Sequence, residues 1–173
     1  SESSRFECSL AYPSQHCTMQ WCALQREDGG VYFASHDEKF SYKYNLPNRD
    51  TYNETCAAIA LALFAGAMQE IEPDPRYADL IERIYYNGFI AGVSQSGDEF
   101  FYSIPLEFDK KKYGHSTHQC PGGRSKYFDC SCCPPNVVRM LASIPRYTYS
   151  TDGDTIWCHQ FMSCTAILES GTL

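Results

Sequence analysis

Long apolar runs are missing from this 173-residue chain. No stretch approaches the roughly 18–20 residues a helix needs to cross a bilayer. The longest run, Ala57 to Met68, is too short and carries the small residues of a buried helix. A membrane is therefore not an expected partner. Basic residues are scarce as well: 14 Lys and Arg stand against 21 Asp and Glu, for a formal net charge of −7. A grip on nucleic acid needs clustered cations facing phosphates. The one basic run, Lys110-Lys111-Lys112, reads as a solvated loop. The first residues, Ser1 to Arg5, lack a charged segment followed by an apolar one, so no secretory signal is visible. Internal repeats and low-complexity tracts are absent too. Hydrophobic residues make up 43% and charged residues 20%, the balance of a packed globular chain rather than a disordered one.

What the chain has in abundance is sulfur and aromatic rings. Thirteen Tyr and ten Phe suit a sugar-binding cleft and an ordinary core equally well. Ten cysteines would suit a disulfide-rich secreted domain. The crowding of Cys130, Cys132 and Cys133 beside Pro134-Pro135 favours a metal or thiol site instead. Cys8, Cys17, Cys22, Cys158 and Cys164 fall in no motif.

Along the chain, residues 1–30 show no sustained period, and Asp28-Gly29-Gly30 reads as a turn. Asn45-Leu46-Pro47-Asn48 is another turn. Glu54 to Glu70 predicts a helix that is apolar on nearly every side, hence buried. Pro73 and Pro75 end it. Spacings of three and four from Ala78 to Gly88 predict a second helix over Tyr77 to Ile90. Phe100 to Leu106 reads as extended, 109–127 as a polar loop, and Pro135 to Ile144 as a third helix. Arg146 to Ser150 and Thr155 to Ser163 predict two strands around the turn Thr151-Asp152-Gly153-Asp154. The class is mainly α with a β tail.

A residue before proline is pushed out of the helical region, so Cys133 is expected to be extended. A helix then starts, and its N-terminal dipole should lower the pKa of the adjacent thiols. Two sulfurs do not complete a tetrahedral zinc site. Glu54 and Cys56 offer a second pair. Residues i and i+2 share no helix face, so the pair converges only if Glu54 precedes the helix or lies in its first turn. Spacing alone leaves a bland alternative open: structural cysteines and a capping carboxylate.

Several motifs in order carry a family resemblance. They are Tyr44-x-Leu46-Pro47-Asn48, Tyr52-x-Glu54-Thr55-Cys56-Ala57, Arg76-Tyr77-Ala78-Asp79-x-x-Glu82, Asn87-Gly88 and Phe100-Phe101-Tyr102-x-x-Pro105-Leu106-Glu107. Cys130-x-Cys132-Cys133-Pro134-Pro135-Asn136-x-x-Arg139 and His159-Gln160-Phe161 follow. Over about residues 31–166 the chain resembles glycoside hydrolase family 127, the β-L-arabinofuranosidase family. The resemblance implies a retaining glycosidase that removes β-linked L-arabinofuranose from a glycan. It implies Zn²⁺ held by Glu54, Cys56, Cys132 and Cys133, with Cys132 as nucleophile forming a thioglycosyl-enzyme. Glu38 matches the general acid/base, and Tyr102 a tyrosine that binds sugar or thiolate. Asp37 beside Glu38 departs from the small residues usual there and would raise the pKa of one of the two. His36 and His159 are expected to be structural or rim groups.

The implied fold is part of an (α/α)₆ barrel followed by the start of a β-sandwich. Residues 1–30 stay unassigned, 31–145 form the C-terminal part of the barrel, and 146–173 form the first sandwich strands. Such a chain is expected to be a fragment or truncated homologue with an open cleft, lacking the sugar-binding histidines of earlier helices. The alternative function is a catalytically incomplete zinc-binding module. A homodimer is the one self-association considered. Reactive thiols persist best in a reducing cytoplasm, which is the compartment expected.

Overall fold

The computed structural model describes residues 34–35, 39–40, 53–104, 123–126, 130–152, 154–168 and 171–172. Glu38, with its neighbours His36 and Asp37, lies outside them, as do the turns at 28–30 and 45–48 and most of the polar loop. Two short strands, β1 (Ala34–Ser35) and β2 (Lys39–Phe40), pair antiparallel. Helix α1 runs over Thr55–Ile71. Helix α2 runs over Pro75–Arg83, widens into a π turn at Ile84–Phe89 and tightens into a 3₁₀ turn at Ile90–Gly92. Helix α3 spans Cys133–Ser143 and passes through a 3₁₀ turn, Ile144–Tyr147, into a hairpin. Its strands are β3 (Tyr149–Asp152) and β4 (Thr155–Cys158), with Tyr149 opposite Cys158 and Asp152 opposite Thr155. A last pair, β5 (Ile167–Leu168) and β6 (Gly171–Thr172), closes the described chain. The described fold is thus mainly helical, with small two-stranded sheets. No helix among the described residues is long and apolar enough to cross a membrane.

The expected helices are all present, and their differences from expectation have local causes. Helix α1 buries one face, through Ala58, Ile59, Leu61, Ala62, Ala65 and Gly66, whereas Ala67 and Ile71 are exposed. Its small residues let α2 and α3 approach closely on the buried side. The remaining positions are half-buried, as at Leu63 and Met68, or exposed, so burial on every side is not met. Helix α2 begins two residues before the expected Tyr77. Asp74 caps it by accepting the Arg76 N–H at 2.9 Å, and Pro75 sits in the first turn, where its missing N–H costs nothing. The π turn then places Ile84, Tyr85, Gly88 and Phe89 together in the core. Gly88 keeps the two helices close there, because a Cβ would meet Ala58 Cβ at 3.2 Å, a tight contact.

Helix α3 starts at Cys133, two residues earlier than expected, and Cys133 is helical rather than extended. The steric penalty before Pro134 is a preference, not a prohibition. Complete burial of Cys133 against α1 outweighs it. The core that results joins Ala58, Ile59, Ala62 and Ala65 of α1 with Ile81, Ile84 and Phe89 of the second helical run and Val137 and Met140 of α3. Phe100 to Ile104 is extended as expected, but it makes single bridges rather than a full strand. In the tail, β3 falls three residues later than expected. The His159 N–H donates to the Thr148 carbonyl at 2.8 Å, and buried Gln160 donates its side-chain amide to the Ala78 carbonyl at 3.0 Å. The first bond closes the hairpin on its own entry, and the second ties its exit to α2.

Candidate metal centre

Two helix N-termini and one extended strap build the site. Glu54 is the residue before α1, with extended backbone, and its side chain makes no capping bond to the helix. The bland reading of Glu54 as a capping carboxylate is therefore not met. Cys56 follows in the first turn of α1. Cys132 and Cys133 open α3, whose first turn packs against that of α1. The strap Phe101 to Ile104 crosses the start of α1. The Thr55 N–H donates to the Tyr102 carbonyl at 2.9 Å, and the Thr55 hydroxyl to the Phe101 carbonyl at 2.9 Å. Ile104 N–H donates to Asn53 O at 2.9 Å, and Asn53 N–H to Ser103 Oγ at 3.0 Å. These bonds satisfy backbone groups that a helix start leaves without partners. They also fix Glu54 and Cys56, which flank the buried Thr55.

One ligand atom from each of Glu54, Cys56, Cys132 and Cys133 lies within 4.8 Å of all the others. Cys56 Sγ is 3.5 Å from Cys133 Sγ, and Cys132 Sγ is 3.8 Å from both Cys133 Sγ and Glu54 Oε1. Tetrahedral zinc with sulfur bonds of about 2.3 Å has sulfur–sulfur edges of about 3.8 Å. The separations fit such an ion. They are far from a disulfide, and the six described cysteines are all free thiols. Cys133 is fully buried, while the other three donors are half-buried. Separated by 78 residues, Glu54 and Cys132 meet because α1 and α3 pack with their N-termini side by side.

Charge distribution makes the same point. Cys56 is held down to about 7, first because the Cys133 thiol donates to it, then by donation from Asn136 and Cys132, against the opposing effect of burial. Cys132 is pushed up to about 12, by burial first and then by the Cys56 sulfur. Cys133 is pushed well above the ordinary thiol range, because it donates its proton to Cys56 and is buried. The expectation that the start of α3 would lower both of its thiols is therefore corrected. The thiol that is lowered sits on α1, and its negative charge holds the protons on the other two. Three sulfurs and a carboxylate at this distance cannot all be anionic without a cation, and a divalent ion would relieve that repulsion.

Tyr102 is buried beside the cluster, and its carbonyl lies 3.8 Å from Cys133 Sγ. His159 is far from the sulfurs. Its Nε2 shares a 2.7 Å bond with Ser150 Oγ, and it lines a recess of about 390 Å³ with Gln69, Tyr147 and Trp157. That recess adjoins the C-terminal half of α1, at the opposite end from the sulfurs. Asn136, a motif residue with no role expected from sequence, donates its amide to Cys56 Sγ at 3.0 Å. The available signal was its position four residues after Cys132, one turn up the same helix face.

A mainly helical fold that gathers one carboxylate and three sulfurs at two helix starts has a site that could hold a metal ion. The sequence model of the β-L-arabinofuranosidase GH127 catalytic domain matches residues 28–146, so the chain belongs to glycoside hydrolase family 127. It is 40% identical over 137 residues to the non-reducing end β-L-arabinofuranosidase of Bifidobacterium longum, a match that covers 78% of this chain and 21% of that enzyme. The structure superposes with a TM-score of 0.71 on a GH127 β-L-arabinofuranosidase from Geobacillus stearothermophilus, at 37% identity, covering 83% of this chain and 23% of that one. A second solved GH127 β-arabinofuranosidase gives 0.68 at 37% identity, over 82% and 21%. The chain thus spans about a fifth of the length of these relatives.

Proposed function

We propose that this chain carries the zinc and nucleophile half of a retaining glycosidase that removes β-linked L-arabinofuranose from glycans. The observation that carries this reading is the convergence of Glu54, Cys56, Cys132 and Cys133 within 4.8 Å. Those residues would hold Zn²⁺. When bound, zinc supplies positive charge that keeps the thiols deprotonated and makes sulfur a competent leaving group.

Cys132 is the sulfur best placed for attack. Cys133 is fully buried beneath it, and Cys56 is engaged by the Cys133 thiol and the Asn136 amide. In the first step, Cys132 Sγ bonds to the anomeric carbon as the glycosidic C–O bond breaks, and Glu38 gives its proton to the departing oxygen. In the second, Glu38 takes a proton from water, the water oxygen bonds to the anomeric carbon, and the C–S bond breaks. Tyr102 would shape the sugar's side of the pocket. Residues 31–145 would belong to an (α/α)₆ barrel and 146–173 to the start of a β-sandwich, with β3 and β4 as its first strands. The free thiols suit a reducing compartment such as the cytoplasm.

The alternative reading is a zinc-binding module without turnover, which the same Glu54, Cys56, Cys132 and Cys133 cluster would also serve. One experiment separates the two. Zinc-loaded chain is incubated with an aryl β-L-arabinofuranoside, beside its Cys132→Ser variant. Turnover by the wild type that Cys132→Ser abolishes supports the enzyme. Stoichiometric zinc with no release of the aryl group supports the module.

A further inference from the structure

Of the cluster's three sulfurs, Cys56 alone has an amide donor among the bonds described. Asn136, half-buried in the first turn of α3, reaches across to α1 and donates Nδ2–H to Cys56 Sγ at 3.0 Å. Which end of an amide faces a neighbour is decided by its other partner. Here that partner is Arg139, one turn further along α3, whose Nη2 donates to Asn136 Oδ1. A guanidinium has donors and no acceptor. It can therefore bond only the oxygen end of the amide, which leaves the NH₂ end aimed at sulfur.

We propose that Arg139 and Asn136 form a positioning pair that makes Cys56 the spectator thiolate of the metal centre and leaves Cys132 as the reactive one. The inference rests on the reading of the cluster as a metal site. An N–H donor lowers the energy of the sulfur lone pair it touches, so Cys56 gives less charge to the ion and is less nucleophilic. Neither the Asn136 nor the Arg139 side chain is a ligand; both act through Cys56. The pair also ties α3 to α1 at the one place where both must keep their sulfurs in register. Partners that orient metal ligands are commonly worth 10–100-fold in metal affinity.

The test uses the full chain loaded with Co²⁺, whose thiolate charge-transfer bands report on sulfur donor strength, and with Zn²⁺ in competition with a chelator. Asn136→Asp keeps the side chain's size and its bond to Arg139 but removes the donor to Cys56. It is expected to shift the charge-transfer band to lower energy, because the freed sulfur gives more charge to the ion, and to weaken zinc binding by about 10–100-fold, because losing the partner that orients Cys56 outweighs that stronger donation. Arg139→Met, at an exposed position, is expected to give a smaller shift of the same sign and no further shift in an Asn136→Ala background. Far-UV circular dichroism reports whether each variant keeps its helices. An unmoved band and unchanged affinity in folded Asn136→Asp would overturn the proposal alone. So would an Arg139→Met effect that simply adds to that of Asn136→Ala. Wild-type chain that binds neither cobalt nor zinc would overturn the metal site and this inference together.

Discussion

Thr55 joins the sequence's clearest helix to the strap beneath the metal centre. The residue is 1% exposed, and its hydroxyl donates to the Phe101 carbonyl at 2.9 Å. Thr55→Val removes that hydroxyl and keeps the side-chain volume. The loss has two parts: the net worth of a hydrogen bond, about 1 kcal/mol, and the cost of a half-buried carbonyl losing a partner, at most about 1–3 kcal/mol. The parts overlap, so the expected destabilisation is about 1–3 kcal/mol. Thr55→Ser keeps the hydroxyl and loses one methyl group, worth about 0.8 kcal/mol. Urea unfolding followed by circular dichroism, with the linear slope compared between variants, measures both. Zinc affinity should fall in Thr55→Val but not in Thr55→Ser, because Glu54 and Cys56 flank the residue and lose the same anchor. A Thr55→Val chain as stable as wild type, or one less stable with unchanged zinc affinity, would refute the claim that the strap positions the ligands.

Gly66 lies on α1 under the ring of Tyr147, where an added Cβ would overlap ring carbon Cε1. Gly66→Ala gains about 1 kcal/mol of helix propensity but forces the ring aside at about 1–3 kcal/mol. Thermal melts are expected to show a net loss, reversed to a gain when Tyr147→Leu is added. Zinc binding should release protons, since Cys132 and Cys133 keep theirs in the metal-free cluster and Cys56 titrates at about 7. Protons compete with the ion, so affinity should rise as pH rises from 6 to 8. Dye-monitored proton release in weak buffer checks this, and no release on zinc addition would contradict the thiol assignment.

The fold was legible where periodicity and punctuation agree. Alanine-rich α1, closed by Pro73, was readable to within a residue at each end. Helix α2 is legible from Tyr77 onward, but its change of pitch at Ile84 is not, because a π turn follows from which side chains the core accepts. At Cys133 a local preference set by proline meets a tertiary demand for burial, and burial decides the backbone. The ligand set is legible only through the family resemblance. Spacing alone left Glu54 and Cys56 ambiguous, and only the packing of α1 on α3 brings them to Cys132 and Cys133. The partners of that site, Asn136 and Thr55, stayed hidden for a related reason. Their roles depend on atoms that are distant in the chain and reached only across a helix interface or a strap.

The central claim is that one carboxylate and three sulfurs share a single cation. Metal analysis by plasma mass spectrometry, paired with thiol counting on the same chain and on Cys56→Ala and Cys133→Ala, addresses it directly. The account predicts one zinc per wild-type chain, bound tightly enough to survive gel filtration, and loss of that zinc in both variants. Wild-type chain with fully reduced thiols that retains no zinc after loading, or variants that keep a full equivalent, would contradict it.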